Sequence, residues 1–241
     1  MSYENFGLGL GDIQEGGELG YCWYDDPESE STEVVSLADF LAEREKRLEA
    51  ERLADMDAKI EGVLNDRGMR KAFDTIQATR TAGDVIVLCY LDINEFKQTN
   101  SAIGHIAADE ALADYAAYLL STTREGDAVA RHGGDEFVIL ANCANVEVDS
   151  VEGFLQRIQQ PVDAIYKTES GFRTHEVSAS VGVTIVEPGQ EYSQAMERAN
   201  MASRWIKDGH YTTGIAINSP GLALGLLDPK GMSKYIELER S

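Results

Sequence analysis

Residues 130–140 constrain the fold of this chain more than any other stretch. Gly133-Gly134-Asp135-Glu136 separates a short apolar run from a longer one that begins at Phe137. Apolar runs on both sides of a glycine pair are typical of a β-hairpin, because glycine adopts the positive φ that a tight turn needs. The sequence therefore predicts a hairpin with acidic residues at its tip. Such a tip is either an ordinary solvated turn or a place for a divalent metal with a polyphosphate over it.

Composition limits the partners of the chain. Its 241 residues include 42 acidic and 21 basic side chains, a formal net charge of −21. That charge opposes binding to nucleic acid and to an anionic membrane surface. Cys22, Cys89 and Cys143 are widely spaced and predict neither a disulfide framework nor a zinc site. No apolar run is long enough to span a bilayer and no signal peptide is evident, so we expect a cytoplasmic protein.

The pattern divides the chain into four segments. Residues 1–35 are glycine-rich and then acidic, and we predict a flexible leader. Residues 36–67 carry apolar residues at three- and four-residue steps. They predict a helix that either lies on its own domain or forms a dimerising stalk. Residues 68–218 alternate helical and strand patterns and form the main domain, whereas the tail, 219–241, has no predictable structure.

The main domain is predicted to be α+β. Apolar runs predict strands over 84–92, 128–131, 137–141, 172–177, 178–186 and 214–218, with 172–177 paired to 178–186. Helical patterns cover 66–82, 95–101, 109–123, 150–166 and 192–207. Hairpins mixed with helical crossovers favour helices on a central, mostly antiparallel sheet built around a ferredoxin-like βαββαβ core.

Two acidic positions are expected to converge in such a core. Asp92 ends a strand that is apolar throughout, and an acid there is costly unless it is paired or binds a metal. The strand and the hairpin are neighbours in a ferredoxin-like core, so Asp92 approaches Asp135 and Glu136. Carboxylates from adjacent strands form a hard oxygen site suited to Mg²⁺ shared with phosphates. That arrangement favours nucleotidyl transfer.

Three segments in order resemble the GGDEF family of diguanylate cyclases. They are 92–100 (DINEFKQTN), 104–109 (GHIAAD) and 133–137 (GGDEF), within a resemblance that runs from about Asp57 to Asn218. The resemblance implies a fold like that of class III nucleotide cyclases, and the joining of two GTP into cyclic di-GMP with release of pyrophosphate. It also implies Mg²⁺, with Mn²⁺ as a substitute, and a homodimer in which two half-sites face each other.

The resemblance also implies a role for each matching residue. The metals would be held by Asp92, the carbonyl of Ile93 and Asp135. The catalytic residues would be Asp135, Glu136 and Lys97, and the substrate-binding residues Asn100, His105, Asp109, Gly133, Gly134 and Lys207. A carboxylate at Asp109 suits the N–H groups of guanine.

A further match concerns regulation. Arg124 and Asp127 lie where the family has its RxxD site, at which bound product inhibits the enzyme through charge-assisted hydrogen bonds. The alternative for this tetrapeptide is a surface turn.

The chain departs from the family pattern at several places, among them Ser101, where Asp is common, and a late helix that is one residue short. Asn94 stands where a second Asp is usual, Ala108 replaces a glycine, and His210 lies roughly where an arginine would bind phosphate. These departures keep a second hypothesis open, namely a weak or inactive module that binds cyclic di-GMP or GTP as a sensor. His132 and His175 flank strands and are predicted to have structural roles.

Overall fold

The computed structural model describes residues 21–26, 31–143, 148–168, 171–209, 214–220 and 225–226. The chain divides into two compact units, residues 1–54 and 55–241. None of the helices in these described ranges is long and apolar enough to cross a membrane.

The first unit contains a strand pair and a helix. Strands β1 (Tyr21–Asp26) and β2 (Ser31–Ser36) are antiparallel, and helix α1 (Leu37–Ala54) follows β2 directly. Strand β1 and all but the last residue of β2 therefore lie within the predicted flexible leader, whose remaining residues are outside the described ranges. The helix predicted over 36–67 ends at Ala54. It ends there because residues 55–65 form turns and a short bridge between Met56 and Leu64.

The second unit is built on a six-stranded sheet. Its elements in chain order are α2 (Asp66–Thr79), β3 (Ile86–Ile93), α3 (Phe96–Ile103), α4 (His105–Thr122), β4 (Ala128–Gly133), β5 (Glu136–Asn142), α5 (Val148–Ile158), β6 (Val162–Thr168), β7 (Gly171–Val177), β8 (Ala179–Val186), α6 (Tyr192–Asp208), β9 (Gly214–Ile217) and β10 (Gly225–Leu226). The strand order is β10-β9-β8-β3-β5-β4, and of these neighbours β8 and β9 are parallel. The predicted α+β class with a mostly antiparallel central sheet is confirmed.

Strand β3 is central because its residues are apolar on both faces. Val87, Cys89 and Leu91 belong to the core cluster that includes α4, and Leu88 and Tyr90 belong to the cluster that includes α2 and α6. Alternate residues of a strand face opposite sides, so one apolar run fills both clusters. The end of β3 therefore lies between two helical layers.

Helix α6 packs unusually close to β8. A Cβ added to Gly182 would lie 1.9 Å from the carbonyl oxygen of Ala199 and 2.4 Å from the nitrogen of Ser203. The hydroxyl of Ser203 donates to the carbonyl of Ser180 at 2.9 Å. Glycine is required here because the backbone of α6 occupies the space of a side chain. This contact fixes α6, and with it Lys207, beside the end of β3.

Two predictions for the segment 150–186 are wrong. The helix predicted over 150–166 ends at Ile158, and β6 begins after Pro161, which supplies no N–H to continue a helix. Strand β7 pairs with β6, whereas β8 pairs with β3 and β9, so 172–177 does not pair with 178–186. The reason is that β6, which overlaps the helix predicted over 150–166, is the strand that pairs with β7.

Helix α4 also begins earlier than predicted, at His105 rather than at Asp109. Gly104 has a φ of 85° and both ends α3 and precedes α4. A glycine with positive φ reverses the chain in one residue, so the predicted loop between the two helices shrinks to Gly104. Asp109 consequently lies in the second turn of α4.

Candidate active site

The glycine-rich turn and the end of β3 meet in the sheet. Asp92 is directly opposite Glu136 in the antiparallel register of β3 and β5. The backbone N–H of Ile93 donates to the carbonyl of Asp135 at 3.1 Å. Gly134 has a φ of 50°, and the register shifts between Arg131 and Gly133. The predicted hairpin is confirmed, and its acids lie beside Asp92 as expected from the core.

Lys207 places a cation on two of the predicted metal ligands. Its Nζ lies 2.5 Å from Oδ1 of Asp92 and 3.2 Å from the carbonyl oxygen of Ile93. The two oxygens therefore form a site that already holds a positive charge. Within the described ranges, no three His, Cys, Asp or Glu side chains form a cluster able to hold a metal by themselves. The donor set fits a Mg²⁺ ion that also takes oxygens from a substrate.

Carboxylates outnumber cations at this site. Burial raises the pKa of Asp135 above its usual value, and the charges of Asp92 and Glu136 raise it further, while Lys207 opposes them. Such a surplus of negative charge is relieved by a further cation.

Tyr90 is a site residue that the sequence analysis missed. It is buried at 1% exposure, and its hydroxyl lies close enough to the carboxylate of Glu136 to be affected by it. Burial and this carboxylate raise the pKa of the phenol. A side chain two residues before Asp92 lies on the same face of β3, and this spacing is the signal that could have identified it. Tyr90 therefore lies beside the acidic end of β3.

Three predicted substrate-binding side chains lie around the junction of α3 and α4. Nδ1 of His105 lies 3.1 Å from Oδ1 of Asn100. Asp109, one turn along α4, is paired with Lys59, whose Nζ lies 3.1 Å from Oδ2. Lys59 was not predicted as a site residue. Lys97 is exposed in the first turn of α3.

The departures from the family pattern have local explanations where they are described. The side-chain amide of Asn94 donates to the hydroxyl of Ser178 at 3.1 Å and accepts from that of Ser180 at 2.8 Å. Asn94 thus connects the end of β3 to the start of β8. Ala108 is fully buried in α4. His210 lies outside the described residues.

Arg131 joins the glycine turn to the start of the unit. Its guanidinium donates to the carbonyl of Gly134 from Nε at 2.9 Å and from Nη2 at 2.6 Å. Nη1 lies 3.8 Å from Oδ1 of Asp57. The same Asp57 oxygen accepts the backbone N–H groups of Lys59 and Ile60, both at 2.9 Å. A single arginine therefore holds the hairpin tip against the segment that carries Lys59.

The residues of the predicted product site contact each other. Nε of Arg124 lies 3.6 Å from Oδ1 of Asp127, and the backbone N–H of Arg124 donates to Oδ2 at 3.1 Å. The guanidinium also donates to the carbonyl of Asn142. The side chain of Asp127 is 6% exposed, and burial raises its pKa. Arg124, with 52% of its side chain exposed, is the member available to a ligand.

The two strand-flanking histidines have structural contacts, as predicted. His132 lies 2.9 Å from Oδ1 of Asp66 at the start of α2, and Nε2 of His175 lies 3.0 Å from the hydroxyl of Thr99. Both contacts connect secondary-structure elements.

Comparison with known proteins identifies one family. The family model described as "Diguanylate cyclase, GGDEF domain" matches residues 55–211. The chain is 32% identical over 145 residues to the probable diguanylate cyclase DgcE of Escherichia coli strain K12, and the match covers 60% of this chain and 13% of DgcE. It is 28% identical over 177 residues to the cyclic di-GMP phosphodiesterase PdeR of the same organism, and the match covers 73% of this chain and 26% of PdeR. The chain thus spans about a quarter or less of these curated relatives.

The solved structures include a similar fold. The diguanylate cyclase SiaD of Pseudomonas aeruginosa, solved in complex with its activator SiaC, has 25% sequence identity and a TM-score of 0.57. The match covers 76% of this chain and 70% of SiaD.

Proposed function

The chain belongs to the GGDEF domain family of diguanylate cyclases, and from this membership we propose that it condenses two GTP into cyclic di-GMP with release of pyrophosphate. One observation carries the proposal. The carboxylate of Asp92 and the carbonyl of Ile93 hold the ammonium of Lys207 directly across from Glu136. A cation-binding pair of oxygens beside a glycine turn suits a metal-bound triphosphate.

The metal is part of the proposal. GGDEF diguanylate cyclases generally use a divalent metal, and here Asp92, the Ile93 carbonyl and Asp135 would hold it. When bound, Mg²⁺ would neutralise phosphate charge and favour ionisation of an attacking 3′-hydroxyl. Mn²⁺ has the same preference for oxygen ligands.

The residues of the chain have distinct tasks in this mechanism. Gly133 and Gly134 leave the turn without side chains, so phosphates can approach its backbone. Lys207 moves from Asp92 to the phosphates, and exposed Lys97 stabilises charge that develops on them. Tyr90 would donate to Glu136 and hold its orientation, as outer hydrogen bonds do for ligating carboxylates. Asn100, His105 and Asp109 bind the base.

The reaction needs two protomers. Each half-site binds one GTP, and two half-sites that face each other in a homodimer bring each 3′-hydroxyl to the α-phosphate of the other nucleotide. Product would bind at Arg124 and Asp127 and hold the dimer in an unproductive arrangement. A cytoplasmic location belongs to the same proposal and accords with the buried thiols Cys89 and Cys143.

A second candidate is a module that binds the nucleotides without turnover. The observation that favours it is the match to PdeR, a relative named as a phosphodiesterase.

Purified protein with GTP and Mg²⁺, followed by chromatography of the nucleotides, separates the two candidates. We expect cyclic di-GMP and pyrophosphate from the wild type and none from Asp135→Ala. Arg124→Ala should keep the activity and lose inhibition by product. Binding of cyclic di-GMP without any turnover by the wild type would refute the enzyme and support the sensor. Unchanged product inhibition in Arg124→Ala would refute the product site.

A further inference from the structure

Lys59 lies at the end of the site that the proposed function assigns to the base. Its Nζ is 3.1 Å from Oδ2 of Asp109. The backbone around Lys59 is fixed, because Asp57 accepts the N–H groups of residues 59 and 60 and contacts Arg131. Arg131 in turn binds the glycine turn. Lys59 is thus held to the same turn over which the phosphates would lie.

The charge pair matches one edge of guanine. Guanine presents an acceptor, O6, next to a ring N–H and an exocyclic amine that are both donors. A carboxylate accepts from the two donors, and an ammonium beside it donates to O6. Adenine reverses this order, with an amine at the position of O6 and an acceptor at the ring nitrogen. An adjacent ammonium and carboxylate therefore select guanine and oppose adenine.

The pair need not separate when the base binds. An ammonium has three N–H donors and a carboxylate has about four acceptor positions. One bond joins Lys59 to Asp109, so donors and acceptors remain on both groups. Both side chains are partly exposed, 62% for Lys59 and 52% for Asp109, so these remaining positions are accessible.

We infer that Lys59 is a specificity-determining residue that donates to O6 of guanine while Asp109 accepts from the ring N–H and the amine. The inference rests on the proposed binding of GTP and adds a second residue to recognition of its base. This role differs from that of a lysine in an ordinary exposed ion pair. An ion pair that only stabilises the fold has no effect on which nucleotide binds.

The experiment compares GTP with 6-thio-GTP, in which sulfur, a weak acceptor, replaces O6. Binding to the full chain is measured by calorimetry without turnover, with Ca²⁺ in place of Mg²⁺. Wild type should bind GTP about tenfold more tightly than 6-thio-GTP, the size of one charge-assisted hydrogen bond. Lys59→Met should bind the two equally, through weaker binding of GTP. Lys59→Arg should restore the preference because arginine also donates.

Lys71→Met is the matched control. Lys71 is also an exposed lysine in an ion pair, 2.8 Å from Asp55, and its replacement removes the same charge. It should keep the wild-type preference. An unchanged preference in Lys59→Met would overturn the inference, and tighter binding of GTP by that variant would overturn it too, because Lys59 would then compete with the base. Absence of any GTP binding by the wild type would instead refute the proposed function and the inference together.

Discussion

At the scale of single residues, the site is organised by a shortage of positive charge. The chain has a net charge of −21, and the carboxylates of Asp92, Asp135 and Glu136 converge on one strand end. Lys207 compensates part of this negative charge. Under the proposed function, a metal with GTP would replace Lys207 on Asp92 and free it for phosphate, so substrate binding and rearrangement of Lys207 would be coupled.

Substitution of Lys207 tests this competition. Lys207→Met leaves the oxygens of Asp92 and Ile93 without a competing ammonium, so the nucleotide-free protein should bind Mn²⁺ several-fold more tightly. The same variant should bind GTP about tenfold more weakly, because a charge-assisted bond to phosphate is lost. Electron paramagnetic resonance of free Mn²⁺ measures the first effect and calorimetry the second. Lys71→Met controls for the lost charge, and Mn²⁺ binding that is unchanged or weaker in Lys207→Met would contradict the prediction.

The pKa of Asp127 gives a prediction about pH. Burial raises this pKa, so the folded state binds the proton more tightly than the unfolded state. The stabilising contribution of the protonated carboxyl is full below the unfolded pKa, about 4, and is lost as pH rises through the folded value. Asp127→Asn keeps a neutral side chain at every pH. Its melting temperature relative to wild type should therefore be higher at pH 7 than at pH 4.

Asp84 provides a control of opposite sign. Hydrogen bonds, first of all from the backbone N–H of Thr81, lower its pKa. Its contribution is present above the unfolded pKa and is lost as pH falls. The melting temperature of Asp84→Asn relative to wild type should thus be lower at pH 7 than at pH 4. A difference in melting temperature between Asp127→Asn and wild type that does not change with pH would contradict the raised pKa of Asp127.

The sequence predicted the site residues that belong to a motif. It missed those whose contacts are with residues distant along the chain. Asp92 was recognisable because an acid ends an apolar strand, and the hairpin because glycines separate two apolar runs. Lys59 and Arg131 carry no local signal. Lys59 meets Asp109 fifty positions away, and Arg131 contacts Asp57 only because two segments cross in space. Such partners follow from tertiary structure alone.

At the scale of elements, the strands with an uninterrupted apolar sequence were predicted well. Strands β3 and β5 were placed correctly because burial on both faces leaves an uninterrupted apolar sequence. Residues 162–168 form a strand, of which 162–166 were predicted as helix because the amphipathic α5 precedes them without a clear boundary before Pro161. The end of α1 was likewise misplaced because apolar residues beyond Ala54 continue the spacing in turns rather than in a helix.

The position of α6 depends on Gly182. In Gly182→Ala the new methyl group would overlap the backbone of α6 at Ala199, so the helix must move away from β8. Overpacking of this kind costs about 1–3 kcal/mol or more, and urea unfolding measures it. The movement would also separate Lys207 from Asp92. Gly153→Ala is the control, because its new methyl group meets only the flexible end of Arg157 and alanine favours a helix. Equal stability of the two variants would contradict the role of Gly182.

At the scale of the whole molecule, the first unit bears on whether two half-sites meet. Leu41 and Leu48, seven residues apart on α1, are 47% and 46% exposed. Exposed leucines at heptad spacing favour the stalk hypothesis for this helix. A stalk would raise the local concentration of the second half-site, and synthesis of a product from two bound GTP molecules would then depend on it.

The concentration dependence of turnover tests the stalk. If α1 joins two protomers, activity per protomer should rise with protein concentration and reach a plateau when the dimer is complete. The double variant Leu41→Glu with Leu48→Glu places like charges in the seam and should shift this curve at least tenfold toward higher concentration, with the same plateau. Ala50→Glu adds charge to an exposed position about 200° around the helix from Leu48 and should leave the curve in place. A double variant with the wild-type curve would show that α1 does not join the protomers, whereas a lowered plateau would mean that α1 acts on the chemistry of each half-site.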